Sequence, residues 1–167
     1  MTTLSATAYS IPQRALHWAM ALLILFNLIF SDGIEVWDRM TDRGEPLTPD
    51  QASAANLHAY VGIAVLVLAL VRLCLRLVQG VPPAPAEEPP VLRLASTVAH
   101  WTFYALFVLM PLAGIGKYYF DNDTAGFLHA GPLKSLMWVL IVVHVAAALV
   151  HHFYWKTDVL RRMTSGR

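Results

Sequence analysis

Seven histidines punctuate this chain of 167 residues, and three of them, His144, His151 and His152, lie in the stretch HVAAALVHHFYW, among hydrocarbon neighbours. Imidazole binds metals and carries protons near neutral pH. Inside an apolar helix an ionisable ring is costly, so each one is expected to have a partner. The other four are His17, His58, His100 and His129. Zinc or non-haem iron would want clustered boxes such as HxxxH on a polar face, and only one HH pair exists. The single Cys74 excludes an intramolecular disulfide, a CxxC metal site and the CxxCH attachment of a covalent haem.

The elements that must hold these rings are membrane helices. The chain is 57% hydrophobic and only 14% charged, outside the range of a soluble domain. Four apolar runs, approximately 12–30, 57–78, 97–119 and 133–153, are long enough to span a hydrocarbon core of roughly 30 Å. The expected fold is all-α, a single integral membrane four-helix bundle over residues 1–167. The first run is too long for a signal peptide, and the following SDGIEVWDRM offers no A-x-A cleavage site, so it reads as a retained anchor. A net charge of +1 argues against a nucleic-acid partner and leaves membrane lipid as the surrounding phase.

Basic residues set the expected orientation. With the N-terminus in the cytoplasm, the inner side carries Arg14, Arg72, Arg76, Arg93, Lys156, Arg161, Arg162 and Arg167, and the outer side Arg39, Arg43, Lys117 and Lys134. Both termini are therefore expected inside. The outer 31–56 segment is acidic, and its TPDQA predicts a short surface helix. Residues 80–90, GVPPAPAEEPP, read as a stiff inner spacer. Gly114 and Gly116 allow close approach of a helix or cofactor.

Sorted by depth, the histidines fall into two levels: His58 and His129 outside, and His17, His100, His144, His151 and His152 inside. Rings at one height on different helices suit a planar metal cofactor clamped in a bundle core, and haem iron accepts two axial imidazoles. From His129 to His144 is fifteen residues, about 22 Å of helix, enough to stack two haems. His151 competes with His144 for the inner iron, but pairing it with His129 would separate the haems by roughly 33 Å. His144 is therefore preferred, with His151 left for a haem propionate or a quinone. His100 and His152 read as interfacial, and Arg14 and Arg72 as candidate propionate contacts.

These blocks resemble the bacterial cytochrome b561 family, four-helix membrane proteins with two b-type haems. The resemblance covers nearly the whole chain, through RALHWAMALLIL, NLHAYVGIAVLVLALVRLCLRL, AHWTFYALFVLMPLAGIG and HVAAALVHHFYWKTDVLRRM. It implies His17 and His144 as ligands of the inner haem and His58 as a ligand of the outer one. The family usually has its fourth histidine fourteen residues before the position of His144, where this chain has Ala130. The neighbouring His129 takes that role here; if it does not, the protein carries one haem b rather than two.

Two histidines per iron leave no open position for oxygen, so the haems should carry electrons. The resemblance implies an oxidoreductase of the bacterial inner membrane, moving electrons from a periplasmic-side donor such as superoxide to ubiquinone or another quinone. The alternative is a docking subunit that takes electrons from a separate periplasmic redox protein. The acidic 31–56 segment would repel superoxide and attract a basic partner.

Overall fold

A computed structural model describes residues 8–85 and 88–166. Arg167, counted above for orientation, and Ala86 and Glu87 of the proline-rich segment lie outside them. Every regular element among the described residues is helical. Helix α1 is Ile11–Ile29, α2 Asp32–Asp42, α3 Pro49–Gln79 and α4 Pro90–Phe120. A last long rod comprises α5 (Asp123–Leu128), a π-helical turn His129–Leu133, α6 (Lys134–Leu149) and a second π turn Val150–Tyr154. The short α7, Val159–Thr164, follows it.

Local chemistry sets the helix starts. Ser10 and Thr48 each form a capping box with a glutamine three residues on, Gln13 and Gln51, and proline occupies the first turn. α3 stops at Gly80, whose φ of 73° is costly for a residue with a Cβ. α3, α4 and the last rod outrun their apolar runs because hydropathy marks contact with lipid, whereas a helix continues until a cap ends it. Thus TPDQA begins α3 instead of forming a separate surface helix, and the surface helix is α2. The last rod likewise starts at Asp123, ten residues before the apolar run, which places His129 inside a helix.

Among the described residues, three helices are long and apolar enough to cross a membrane, and α1 with α2, bent by 47°, makes up to a fourth span. Their apolar windows are only 6–17% buried within the protein. Val67, Leu70, Val142 and Val143 are among many exposed aliphatic side chains, a surface suited to lipid and not to water.

α1 packs on α3, α3 on α4, and α4 on α6. One core cluster joins Leu28, Phe103, Leu106 and Met137, a second joins Met20, Val65 and Ala69, and Phe107 touches both. The start of α1 and the short α7 share one end of the bundle. There Gln13 donates to the Gly80 carbonyl at 3.0 Å, and Trp18 Nε1 donates to the Met163 carbonyl at 3.1 Å. α2 lies at the opposite end, packed on α3, with Trp37 against Tyr118 at 4.5 Å between ring centres.

Candidate functional site

At the α2 end, His58 of α3 faces His129 with ring centres 6.2 Å apart and planes at 75°. His129 Nδ1 donates to the Met110 carbonyl at 2.7 Å, reaching across the place where Gly114 lacks a side chain. A Cβ on Gly114 would stand 3.0 Å from His129 Cε1 and 3.1 Å from its Nδ1. The second ring has no such tie: Asn27 Nδ2 donates to the main-chain carbonyl of His58 at 3.0 Å, while His58 Nδ1 is buried with no hydrogen-bond partner among the described residues. Both rings line a cavity of about 450 Å³ with Ile24, Phe107, Met110 and Met137. Cofactor sites are of this size and character, roughly 300–1,000 Å³ and mostly apolar.

The π turn explains how His129 reaches this place. Fifteen residues of regular helix would rotate it about 60° from the His144 face, whereas fourteen would leave it about 40° the other way. A π turn accommodates one extra residue within a helix. Starting at His129 and containing Pro132, it takes up the residue that separates fifteen from fourteen.

At the terminal end, His17 of α1 faces His144 of α6, also with ring centres 6.2 Å apart, at 58°. Two imidazoles on opposite faces of one iron have centres about 6 Å apart, the sum of two metal–nitrogen bonds of about 2 Å and the half-width of each ring. Both cross-helix pairs meet that spacing. The His58–His129 pair, with the cavity beside it, fits a haem, and the His17–His144 pair matches it in spacing.

Around the terminal-end pair, Arg72 donates to the Gln13 carbonyl at 2.6 Å and Arg14 to the Thr164 carbonyl at 2.9 Å. Arg76 lies 5.7 Å from the ring centres of Trp101 and Tyr104. His151, in the second π turn, is buried. Its Nδ1 is 3.0 Å from Thr157 Oγ1, its Nε2 is 3.7 Å from Glu88 Oε1, and Trp155 packs edge-on against it at 4.7 Å.

His100 has a cross-helix neighbour that the sequence does not reveal. His100 lies ten residues into α4, not at its start, and its ring centre is 5.7 Å from that of His144 at 85°. Its Nδ1 donates to the Ser96 carbonyl at 2.6 Å. Hydropathy made His100 look terminal, because the apolar run begins well after Pro90.

The α2 end is acidic, and its two lysines are ion-paired. Lys117 Nζ contacts Asp38, Asp42, Asp121 and Asp123 at 3.5, 3.5, 3.3 and 2.8 Å. Lys134 Nζ is 3.5 Å from Glu35. A hydrogen bond from Ser31 Oγ at 2.7 Å, assisted by Lys134, holds the Glu35 carboxyl below its ordinary range, so it stays ionised.

The profile of the prokaryotic cytochrome b561 family matches residues 8–166. A protein named cytochrome b562 from Cereibacter sphaeroides is 34% identical over 160 residues, covering 95% of this chain and 96% of the relative. A probable superoxide oxidase CybB from Yersinia pestis is 28% identical over 175 residues, covering 93% and 94%. A cytochrome b561 homolog 2 from Escherichia coli is 28% identical over 181 residues, covering 93% and 90%.

Proposed function

Because the chain belongs to the prokaryotic cytochrome b561 family of haem-b membrane electron carriers, we propose that it holds two haems and links a periplasmic-side electron donor to the quinone pool of the inner membrane. The observation that carries this reading is the pair of cross-helix imidazole couples, each with ring centres 6.2 Å apart. His17 and His144 hold the cytoplasmic-side haem, and His58 and His129 the periplasmic-side one. A haem iron with two imidazoles exchanges single electrons and leaves no position for oxygen.

The protein's residues supply orientation and protons. The Met110 carbonyl fixes His129 with its proton on Nδ1, the tautomer whose Nε2 can ligate. Arg14 and Arg72 place two guanidinium groups at the cytoplasmic level, where carboxylate propionates need counter-charge. Quinone reduction to quinol consumes two electrons and two protons. His151 is the residue for one of those protons: its Nε2 faces Glu88 Oε1 at 3.7 Å, and a quinone oxygen would compete with that carboxylate for the ring.

The donor is more easily a basic redox protein than superoxide, which the relative's name would suggest. The Lys117 and Lys134 ammonium groups already contact carboxylates, and Arg39 and Arg43 stand among the six acids of the 31–56 segment, so the periplasmic end offers an anion little attraction.

A reduced-minus-oxidised spectrum of the purified protein, with haem quantified per chain, tests the reading. Two low-spin haems per chain, released by acid–acetone, are expected. One haem per chain, or a high-spin oxidised spectrum, would overturn the two-site assignment.

A further inference from the structure

We infer that Glu88, in the proline-rich segment between α3 and α4, is a positioning residue for proton delivery: its carboxylate holds the transferable proton on His151 Nε2, and the pair regains that proton from the cytoplasmic side after each transfer. This rests on the reading of His151 as a proton donor to quinone. The segment is more than a spacer. Its backbone is pinned from three helices: Gln13 of α1 donates to the Gly80 carbonyl at 3.0 Å, Arg162 of α7 to the Pro83 carbonyl at 2.6 Å, and Arg93 of α4 to the Pro85 carbonyl at 3.2 Å. The Glu88 amide donates to the Pro85 carbonyl at 3.1 Å, and the Glu88 side chain, against His151, is left only 7% exposed.

An acid so covered is seldom left without a partner. The group that faces it is His151 Nε2, 3.7 Å from Oε1. The other ring nitrogen fixes what Nε2 can carry. Thr157 Oγ1 donates its one proton to the His151 carbonyl at 3.3 Å, so it accepts from Nδ1, 3.0 Å away. Nδ1 therefore bears a proton, and in a neutral ring Nε2 would point a lone pair at a carboxylate. Two acceptors facing each other in a covered site repel, and one further proton, shared by the pair, removes the conflict. At 3.7 Å the carboxylate stabilises that proton by its charge without capturing it in a short hydrogen bond.

Reduction of quinone to quinol takes two electrons, passed singly from haem, and two protons, of which His151 gives one. Its Nε2–H bond breaks as an O–H bond forms on the quinone, and the ring stays protonated on Nδ1, bound to Thr157. Glu88 then faces a bare lone pair again, and that unfavourable state draws a proton from cytoplasmic water back onto the pair. Without the carboxylate, the ring has nothing to hold a second proton in this covered site.

Two substitutions separate this role from a structural one. Purified holoprotein, stoichiometrically reduced, is mixed with a short-chain ubiquinone, and haem reoxidation is followed over a range of quinone concentrations. Glutamine keeps the shape of Glu88 but offers Nε2 an amide donor, which holds the ring in its non-donating form. Glu88→Gln should keep low-spin haem in wild-type amount and the wild-type half-saturating quinone concentration, while its limiting rate falls about tenfold, less than loss of the general acid itself. Glu88→Asp, which keeps a carboxylate, should recover most of that rate. A wild-type limiting rate in Glu88→Gln, equal slowing in both variants, a change confined to half-saturation, or loss of haem from either variant would overturn the inference. His151→Ala, measured alongside, tests the premise separately: a wild-type rate there would remove His151 as the donor, whereas a slow His151→Ala beside an unaffected Glu88→Gln would leave that reading intact and strike Glu88 alone.

Discussion

His129 and Met110 are joined by a hydrogen bond of 2.7 Å from imidazole Nδ1 to main-chain oxygen, made across the bare backbone of Gly114. The bond fixes the tautomer and presents the other nitrogen to the bundle interior beside His58. A loop histidine would have neither constraint. The fourth ligand of the proposed pair is thus held by main-chain chemistry on α4, not by its own flanking residues.

Substituting His129 should therefore affect one haem only. His129→Ala is expected to leave the His17–His144 haem intact and to remove the other or render it five-coordinate, which halves haem content or adds a high-spin signal. Gly114→Ala should do the same more mildly, since its Cβ would press on the ring at 3.0 Å. Haem quantification and spin state check both; two low-spin haems in His129→Ala would mean that His58 has a different partner.

The membrane class, the bundle and the two histidine levels were legible because burial in lipid demands long apolar runs and makes every interior imidazole conspicuous. The helix ends were not, because the capped first turns at Thr48 and Pro90 are polar or amphipathic and carry no lipid signal. The π turn at His129 was also hidden. Its presence follows from one extra residue placed against a proline, and periodicity alone shows only the resulting misfit. The contact of His100 with His144 was hidden for a different reason: the two become neighbours only when α4 packs on α6.

Orientation in the membrane has its own test. Eight basic residues, Arg167 included, fall on the side of the termini and four on the side of α2, so both termini should be cytoplasmic. A C-terminal alkaline phosphatase fusion should be inactive and a green fluorescent protein fusion bright. The opposite result would exchange the two haem levels and place His151 on the periplasmic side.

His151 should matter for quinone and not for iron. The second π turn directs its ring toward Thr157 and the proline-rich segment, with Glu88 facing Nε2. His151→Ala should keep full haem content and low-spin spectra while slowing electron exchange with a soluble quinone about 100-fold, the low end of a general acid's contribution. Loss of the inner haem in that variant would show that the wrong histidine of HVAAALVHH had been assigned to the iron.

The acidic end makes the most exposed claim about the donor. Asp38, Asp42, Asp121 and Asp123 surround the single ammonium of Lys117, so this patch keeps a net negative charge after its ion pairs are counted. A basic redox protein approaching it would be steered, and exposed charges separated by more than about 8 Å are screened at physiological salt. Reduction of the oxidised holoprotein by a basic reduced c-type cytochrome should therefore be fast at low salt and slow as salt rises. The triple substitution Asp38→Asn, Asp42→Asn, Asp123→Asn should lower the low-salt rate about tenfold, within the range that steering supplies. It should leave haem content unchanged, because the three carboxylates border the cavity from its exposed side, 47%, 61% and 89% open to solvent. Superoxide, an anion, should respond with the opposite sign and react faster with the substituted protein. A rate with the basic cytochrome that ignores both salt and substitution would remove the docking reading and return superoxide or another small donor to first place.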